Sequence, residues 1–484
     1  MNNFRLFILI NFILIFFFLS CKKDISRSIN DKETVRRIVI LYTNDEHGWL
    51  EESETTNGAA KLMGIWRNVE KYTEDSLFLI LSGGDMWTGP AISTWFKGQS
   101  MAEVMNAMNY RAAAIGNHEF DFKIEGLKER ITNSNFPFLS ANIREKETGE
   151  IADIAIPYII EKINDVKVGI IGLTTTSTRY SAFPDYVKNF DFISYDEALE
   201  EIVPQVKENG AELLIVIGHI CFSDMHELAE TAANLGITLI GGGHCHELVN
   251  EKISGVSIIE AGSYMRNYAK VEILFDSIAD TVVSIKQELH ENQGGTPNPE
   301  IQSIVTYWQN QADAELSQVI GYVEEEISQN SDAMYNMVTD SWLFSYPKAD
   351  ISLTNRGGIR QSISAGDITK GTIIGVLPFS NDIIELELTG AQLIDCTDNL
   401  VVGGMTTISG YFLSDSTPIY DDTTYSVLTT DYLYIQPDSK FKTYDPDPYY
   451  TSLNYHQPTI DWIISHNTSI NNPLDTYLDT IPRQ

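Results

Sequence analysis

The stretch that most constrains the fold reads Gly116-Asn117-His118-Glu119-Phe120-Asp121, and it directly follows the apolar run Ala112-Ala113-Ala114-Ile115. The run predicts a buried strand, and the polar stretch delivers an amide, an imidazole and a carboxylate where that strand ends. Open α/β sheets bind their ligands outside the carboxyl ends of their strands. The stretch therefore predicts an α/β fold with a functional site at one edge of its sheet.

Four other apolar runs end in the same way. Each is rich in β-branched or large aliphatic residues, as expected for a strand that is covered on both faces. The polar residues at their ends are Asp45, Glu46 and His47; Asp85; His219; and His244 and His246. Together with His118, five of the nine histidines stand at such strand ends. One of them alone would be interpreted as an ordinary core or surface histidine, whereas five together favour a shared metal site.

Two local details support this interpretation. Because side chains alternate along an extended chain, Asp45 and His47 are predicted to project to the same side, with Glu46 facing away. Before Asp85, glycines at positions 83 and 84 permit a tight turn that brings the carboxylate close to a neighbouring ion. Both details predict that ligands from different strands meet.

Amphipathic helical stretches lie between the apolar runs, for example at Glu103–Met108 and Leu228–Leu235. Strands that alternate with helices in this way predict a layered α/β domain. We place this domain at residues 35–290.

A turn-rich connector, Asn292–Pro297, follows the first domain. Asn298 and Pro299 are then suited to cap and begin a helix. The apolar face of this helix would consist of Ile301, Ile304, Val305, Trp308, Ala312 and Leu316. We interpret residues 291–318 as a stiff link to a second domain at residues 319–484.

The chain has 484 residues and a net charge of −34. That length suggests two or three domains. A strongly acidic surface repels nucleic-acid polymers, so an anionic substrate must be small and attracted by something locally positive, such as a bound metal. The alternative interpretation is that most of this charge simply keeps the protein soluble.

Residues 1–20 are predicted to be a signal peptide. The run Leu6–Leu19 follows Arg5 and is apolar except for one asparagine, which is the length of a signal h-region and short for a membrane span. It ends in Phe18-Leu19-Ser20-Cys21, which resembles a bacterial lipobox with phenylalanine where leucine is usual. We therefore expect export to the periplasm or cell surface with a lipid anchor at Cys21, an ordinary cleaved signal being the alternative. Residues 21–34 form a polar tether.

Three further cysteines stand at positions 221, 245 and 396. An odd number in an exported protein cannot pair completely within the chain, so at least one is a free thiol. For Cys221 and Cys245 we predict a small buried apolar role.

The second half of the chain contains a different kind of signal. Residues 350–354 predict a strand that runs into Asn355-Arg356-Gly357-Gly358-Ile359-Arg360, a glycine turn bracketed by guanidinium groups. Such a turn could cradle an anion, because arginine forks onto phosphate or carboxylate oxygens. Phe379 lies on a loop before another strand pattern. Judged from its neighbours alone, it is more plausible as a core residue than as a ligand contact.

Aspartate, asparagine and histidine ligands without thiolates suit zinc, manganese, iron or cobalt. Our hypothesis is a site for two ions, in which the ligands are Asp45, His47 and His246 for one ion, Asn117, His219 and His244 for the other, and Asp85 as a bridge. Two ions about 3.5–4 Å apart clamp a phosphate and lower the pKa of a shared water to near 7. The predicted reaction is metal-assisted phosphoester hydrolysis by in-line attack.

His118 has a separate predicted role. Asn117 and His118 are neighbours in sequence and would point in different directions, which leaves His118 free to face the substrate. As an imidazolium it would stabilise phosphoryl charge and protonate the leaving alcohol. Asp121 would hold the ring and favour its charged form.

These motifs together resemble the signature of the calcineurin-like metallophosphoesterases. With the turn at residues 355–360 and Phe379, the chain after the signal resembles the secreted bacterial 5′-nucleotidases. The resemblance implies a four-layer α/β sandwich with two divalent metal ions, joined by a helix to a smaller α/β domain that binds the nucleotide. It implies metal ligands at Asp45, His47, Asp85, Asn117, His219, His244 and His246, and a catalytic pair at His118 and Asp121. It also implies nucleotide contacts at Asn355, Arg356, Gly357, Gly358 and Arg360, with Phe379 stacking on the base.

The sequence departs from this family after the strand that ends near Tyr432. The family usually has a second stacking aromatic followed by a Gly-Gly-Asp-Gly turn, whereas residues 434–441 here contain no glycine. Extra arginines that some members carry are missing from residues 337–348. Phe441 and Tyr444 are the candidate substitutes, although both could also pack on the domain surface. Base preference is therefore open.

We expect a phosphohydrolase that acts on nucleoside 5′-monophosphates. The first alternative keeps the chemistry but changes the substrate to a 2′,3′-cyclic nucleotide, a nucleotide sugar or another small phosphoester. The second is a surface binding protein without catalysis, which the complete ligand set with His118 and Asp121 disfavours. The expected partners are a small nucleotide and, through Cys21, a membrane.

Overall fold

The structure is a computed structural model that describes residues 34–53, 56–74 and 77–484. The predicted signal peptide and the candidate lipid-anchor residue Cys21 lie outside these ranges. Within them, no helix combines the length and the apolar character needed to cross a membrane.

The first half of the chain alternates strands and helices. Its strands are β1 (Val35–Thr43), β2 (Phe78–Ser82), β3 (Ala112–Ala114), β4 (Phe138–Leu139), β5 (Ile143–Glu145), β6 (Tyr158–Ile163), β7 (Val166–Thr174), β8 (Phe190–Phe192), β9 (Leu213–His219), β10 (Ile237–Gly241), β11 (Leu248–Ile253), β12 (Val256–Ala261), β13 (Asn267–Asp276) and β14 (Thr281–Glu291). Its helices are α1 (Gly58–Asn68), α2 (Ala91–Thr94), α3 (Gln99–Ala107), α4 (Lys123–Asn133), α5 (Thr178–Ser181), α6 (Pro184–Val187), α7 (Tyr195–Glu208) and α8 (Phe222–Asn234). His118–Phe120 forms a 3-10 turn.

Two six-stranded sheets face each other in this half. Their strand orders are β14-β13-β1-β2-β3-β4 and β11-β12-β10-β9-β7-β6. One apolar core lies between the sheets, a second lies between the first sheet and helices α1, α3 and α4, and a third lies between the second sheet and helices α7 and α8. These four layers confirm the predicted α/β sandwich.

Strand β1 shows why residues 38–42 are all apolar. Ile38, Ile40 and Tyr42 point into the core between the sheets, while Val39 and Leu41 point towards the helices. Both faces of the strand are therefore buried, as the uninterrupted apolar run predicts.

The five strands that precede the polar motifs are β1, β2 and β3 of one sheet and β9 and β10 of the other. Neighbours among them pair in parallel, so their carboxyl ends lie at the same edge of each sheet. The predicted mechanism for Asp45 and His47 is nevertheless wrong, because β1 ends at Thr43. Both residues instead adopt left-handed backbone conformations, with φ of 50° and 47°. A turn, rather than strand alternation, brings their side chains together.

The predicted connecting helix is α9 (Pro299–Leu316). The side chain of Asn298 accepts hydrogen bonds from the backbone N–H groups of Glu300 and Ile301, which confirms the predicted cap. On the predicted apolar face, Ile301, Val305 and other members are buried, and the first part of the helix packs against the core of the first domain.

The second half of the chain forms a smaller α/β unit. Its strands are β15 (Val319–Val323), β16 (Ile351–Asn355), β17 (Gly366–Thr369), β18 (Asp382–Thr389), β19 (Leu400–Gly403), β20 (Met405–Thr406), β21 (Phe412–Leu413), β22 (Thr424–Thr430) and β23 (Tyr449–Asn454). Its helices are α10 (Asp332–Ser345), α11 (Lys370–Val376), α12 (Gly390–Cys396), α13 (Asp431–Ile435), α14 (Lys440–Tyr444) and α15 (Gln457–His466). The main sheet has the order β19-β16-β22-β18-β23. Helices α10 and α15 pack on one face, and α12, α13 and α14 on the other.

Candidate metal and phosphoester site

The loops after β1 and β10 form one half of a buried polar cluster. His246 Nε2 lies 3.3 Å from Asp45 Oδ1, and His47 Nε2 lies 3.9 Å from the same oxygen. Ligand atoms of Asp45, His47 and His246 all lie within 4.8 Å of one another. This is the set that the sequence predicts for the first ion.

The loops after β2, β9 and β10 form the other half. His219 Nε2 lies 2.9 Å from Asp85 Oδ2, and His244 Nδ1 lies 3.2 Å from His219 Nε2. Asp85 also lies 3.8 Å from His47 Nε2, so this carboxylate stands between the two halves. Asp85 therefore contacts residues of both halves, and its predicted role as a bridge between two ions stays a prediction.

The backbone of the cluster adopts conformations that are unfavourable for ordinary residues. Besides Asp45 and His47, three candidate ligands have positive φ, namely Asp85 at 57°, His244 at 77° and His246 at 58°. Non-glycine residues in this region cost on the order of 1–3 kcal/mol each and cluster at functional sites. The fold therefore imposes an unfavourable backbone in order to gather these side chains.

Glu119 connects the loop after β2 with the loop after β3. Its buried carboxylate accepts hydrogen bonds from the backbone N–H groups of Asp85, Met86 and Gly116, at 2.8, 2.8 and 2.6 Å. The backbone at Gly84 passes so close to Gly116 that a Cβ atom would lie 2.9 Å from the Gly116 nitrogen. This glycine is required by close approach, as the sequence predicts.

The donor set fits divalent metal ions. Asn117 Oδ1 is buried and has no hydrogen-bond partner. His47 Nδ1 donates to the Thr88 carbonyl at 2.8 Å, and His219 Nδ1 donates to the Gly83 carbonyl at 3.0 Å. These bonds direct both Nε2 atoms towards the cluster, which is the usual arrangement behind metal-binding histidines.

The electrostatics of the cluster also favour a cation. Burial lowers the pKa of His219, but Asp85 and Asp45 outweigh it and raise that pKa to about 10. Burial and the charge of His219 lower the pKa of its neighbour His244 to about 4. Burial opposes ionisation of Asp85, yet His219 and His118 hold its pKa well below its usual range. The carboxylates of Asp45 and Asp85 thus stabilise a positive charge at the place where metal ions would bind.

His118 lies beside this cluster and is tied to Asp121. Its Nδ1 donates to Asp121 Oδ2 at 2.8 Å, as predicted. Burial lowers the pKa of His118, but Asp121 and Asp85 outweigh it and the net pKa lies above the ordinary value. Its ring stacks on that of Phe379, with centroids 5.5 Å apart. His118 therefore stands between the metal cluster and the second domain.

Both domains line one cavity of about 260 Å³. From the second domain, the cavity is lined by Asn355, Gly357, Gly358, Arg360 and Phe379, whose contacts with a nucleotide stay a prediction. The Nη2 atom of Arg360 lies 3.5 Å from His47 Nε2, and its guanidinium carbon lies 6.0 Å from the centre of the Phe379 ring. Arg360 thus connects the cluster with the aromatic part of the cavity.

The structure does not bring Arg356 into the cavity. Its guanidinium instead lies over the ring of Tyr335, 5.5 Å from the centroid. Strand β16 ends before this position, and a 3-10 turn sends adjacent side chains to different sides. The nucleotide contact predicted at Arg356 therefore has no support in this arrangement.

Three aromatic residues of the cavity are missing from the sequence prediction: Phe183, Tyr186 and Tyr432. Tyr432 directly follows β22, so its position after a strand was the available signal. The substitutes suggested from sequence do not reach the cavity. Phe441 is buried in the core of the second domain, and the hydroxyl of Tyr444 donates to Asp395 at 2.7 Å.

Cys221 and Cys245 form a disulfide. The prediction of separate buried apolar roles is therefore wrong, because β9 and β10 are neighbours and their following loops meet. The bond links a residue two positions after His219 to the residue between His244 and His246. Cys396 is buried and free, which confirms that at least one thiol is unpaired.

The fold and the site define a two-domain, metal-dependent phosphoester hydrolase. Residues 38–248 match the calcineurin-like phosphoesterase family, and residues 319–413 match the 5′-nucleotidase C-terminal domain. The first of these regions is thus a calcineurin-like phosphoesterase domain, and the second is a 5′-nucleotidase C-terminal domain.

Individual relatives agree with this assignment. The chain is 28% identical over 421 residues to silent protein UshA(0) of Salmonella typhimurium, covering 75% of this chain and 76% of that protein. It is 28% identical over 410 residues to the 5′-nucleotidase of Bos taurus, covering 74% and 70% of the two chains. The 5′-nucleotidase precursor from Thermus thermophilus shares the fold at a TM-score of 0.77 and 22% identity, covering 90% of this chain and 97% of that one.

Proposed function

We propose that this protein releases phosphate from nucleoside 5′-monophosphates with the help of two divalent metal ions. The observation that carries this proposal is the shared cavity. It joins a cluster suited to metal ions, a guanidinium and several aromatic rings within about 260 Å³. The metal cluster and the guanidinium suit a phosphate group, and the aromatic rings suit a planar base.

The candidate metal ligands divide into two sets. One ion would be held by Asp45, His47 and His246, the other by Asn117, His219 and His244, with Asp85 shared between them. When bound, such ions supply Lewis acidity and a water of lowered pKa. Their chemical identity is open among zinc, manganese, cobalt and iron, because the ligands are nitrogen and oxygen atoms.

The side chains of the protein perform the remaining steps. Arg360 binds the phosphate and compensates its charge from the side of the second domain. His118 protonates the 5′ oxygen of the leaving nucleoside through Nε2, since its Nδ1 is already bonded to Asp121. Asp121 keeps the ring in this orientation. Two different domains therefore contribute charge at the scissile bond.

The base subsite is formed by aromatic residues beyond Arg360. Phe379 and Tyr432 both line the cavity and are available for stacking. Stacking of one base on an aromatic side chain contributes about 1–3 kcal/mol and tolerates different bases. This supports a nucleotide substrate without favouring one base.

The domain division and the cellular location belong to the same proposal. Residues 35–290 would carry the metal site, residues 291–318 the connection, and residues 319–484 the nucleotide. Residues 1–20 would direct export, and lipidation of Cys21 would retain the enzyme at the membrane surface.

The test is phosphate release by the purified protein from a panel of substrates. The panel contains AMP, UMP, 2′,3′-cyclic AMP, UDP-glucose and 4-nitrophenyl phosphate, each with added manganese, zinc or cobalt. We expect the highest kcat/KM on the two monophosphates. Preferred turnover of the cyclic nucleotide or of UDP-glucose would replace the proposed substrate while keeping the chemistry. No turnover of any compound by protein with confirmed metal content would refute the proposal.

A further inference from the structure

Two aromatic residues of the cavity come from the metal-binding domain and have no part in the chemistry described above. Phe183 and Tyr186 lie on the segment Thr178–Val187, which contains helices α5 and α6. Their rings stack, with centroids 4.6 Å apart and planes inclined by 29°. Both side chains are half-buried and line the cavity, so a ligand there would cover their remaining exposed surface.

The segment is attached to the second domain next to another aromatic residue of the cavity. The hydroxyl of Tyr432 donates to the backbone carbonyl of Tyr180 at 3.1 Å. Helix α6 also contacts helix α13, which begins at Asp431. Tyr432 and the pair Phe183/Tyr186 are thereby held on the same part of the cavity wall.

Carboxylates surround Tyr186 on this part of the wall. Burial first, and then the carboxylates of Asp431, Asp121, Asp382 and Asp185, raise the pKa of Tyr186. Carboxylates that disfavour a phenolate also disfavour a phosphate or another anion at the same place. The guanidinium of Arg360, by contrast, lies beside the metal cluster, with Nη2 3.5 Å from His47 Nε2. The anionic end of a substrate is therefore directed to Arg360, and an uncharged planar group to the aromatic rings.

We infer that Phe183 and Tyr186 are specificity-determining residues, which contact the base of the substrate so that both domains share base recognition. This inference rests on the proposed nucleotidase function and adds to it the first-domain wall of the base subsite. It predicts that these residues matter for nucleotides and are irrelevant to a phosphoester that has no base.

The test compares AMP with ribose 5-phosphate, which has the same phosphate and sugar but no base. The variants are Phe183→Ala and Tyr186→Ala, with Tyr186→Phe to retain the ring. Tyr180→Ala is the matched control, because it lies on the same segment, its side chain is 40% exposed and its ring does not line the cavity. Its backbone carbonyl, which Tyr432 uses, is retained.

Each alanine variant should lower kcat/KM for AMP by about 5- to 150-fold, mainly through KM, since loss of a base–aromatic contact has this size. Turnover of ribose 5-phosphate should stay within about twofold, as should both activities of Tyr186→Phe and Tyr180→Ala. Equal losses on both substrates, or no loss on AMP, would overturn the inference.

Binding of adenosine, measured by calorimetry, separates this inference from the proposed reaction. Adenosine has the base and no phosphate, so its affinity should fall by about the same factor in Phe183→Ala and Tyr186→Ala. If the unmutated protein bound adenosine and released no phosphate from AMP, the proposed function would fail while the base subsite stood. Unchanged adenosine affinity in both alanine variants would refute the subsite itself.

Discussion

Replacing both Cys221 and Cys245 by serine removes the covalent link between two loops that carry candidate metal ligands. His219 lies two positions before Cys221, and Cys245 separates His244 from His246. We expect two consequences, a less stable first domain and weaker metal binding. They can be measured independently.

The stability effect follows from the length of chain that the bond closes. The two cysteines are separated by 24 positions. For a loop of this length, chain entropy gives a stabilisation of about 3.5 kcal/mol. One kcal/mol shifts the melting temperature of a domain of roughly 250 residues by about 2–4 °C, so the loss should be about 7–14 °C.

The effect on metal binding follows from the backbone. His244 and His246 have left-handed conformations on either side of Cys245. A loop freed from the disulfide can relax these residues and move their ring nitrogens away from the cluster. Removal of other supports behind metal ligands weakens metal affinity by about 10- to 100-fold, and we expect a similar loss here.

The assay is scanning calorimetry of metal-free protein followed by titration with Mn²⁺. Metal-free protein is used because a bound ligand would itself stabilise the folded state. Cys396→Ser is the control, since this buried thiol lies in the second domain and should leave Mn²⁺ affinity unchanged. The reasoning is refuted if the double variant melts within about 2 °C of the unmutated protein and binds Mn²⁺ equally well. It is also refuted if peptide mapping without reductant finds no linked Cys221–Cys245 peptide.

Four further outcomes are expected. His118→Ala should lower kcat by about 10²–10⁴ while metal content, measured by mass spectrometry, stays the same; an unchanged kcat contradicts the proton-donor role. Arg360→Ala should raise KM for AMP by about 10- to 100-fold in steady-state kinetics, because a charge-assisted phosphate contact is lost, and an unaltered KM speaks against it. Chelation followed by dialysis should abolish phosphate release and lower the melting temperature, and added Mn²⁺ or Zn²⁺ should restore both; activity that persists without metal contradicts the site. Burial raises the pKa of Glu70, but hydrogen bonds from Lys270 and Tyr268 outweigh it and leave the pKa below its ordinary value. Glu70→Gln should therefore destabilise the protein by about 1 kcal/mol at pH 7. Because this contribution is present above the unfolded pKa and is lost as pH falls through the folded pKa, the difference in melting temperature should shrink below about pH 4, and a constant difference contradicts it.

The metal cluster was predictable because each of its parts is local. A run of apolar residues followed by an aspartate or histidine predicts both a strand and the position where that strand ends. Parallel pairing then brings the ends together without further information. The prediction for Asp45 and His47 shows the limit of this reasoning. The two side chains do lie close together, but strand alternation is not the reason. Both residues adopt left-handed conformations, which an alternating sequence pattern does not predict.

The disulfide depends on a different kind of information. Cys221 and Cys245 follow separate strands, and only the pairing of β9 with β10 brings them within 5.2 Å between Cα atoms. Counting cysteines predicts that one thiol remains free, but it does not identify which one. The histidines next to these cysteines gave no sign of a disulfide either. A small buried apolar role was therefore the prediction for both cysteines.

The wall of the base subsite was hidden for a related reason. Tyr186 and Tyr432 are far apart in sequence and belong to different domains, and their approach depends on how those domains are placed. Phe441 and Tyr444 were plausible from their spacing, yet the second-domain core and Asp395 hold them elsewhere. A position directly after a strand therefore predicts candidate metal ligands better than it predicts the residues that contact the base.

The candidate metal site and the base subsite differ in how freely their residues can be substituted. Residues in the loops after β1, β2, β3, β9 and β10 support one another, so a substitution at one affects the others. The three hydrogen bonds from backbone N–H groups to Glu119 are an example. The segment Thr178–Val187 has no such role, and its link to the second domain uses the backbone carbonyl of Tyr180, which any residue provides. Ala182 and Val187 of this segment are buried in the first-domain core, whereas Phe183 and Tyr186 are half-buried and line the cavity. These two side chains can therefore vary without disturbing the metal ligands. Substrate preference should change most readily through Phe183 and Tyr186, while the hydrolytic chemistry stays constant.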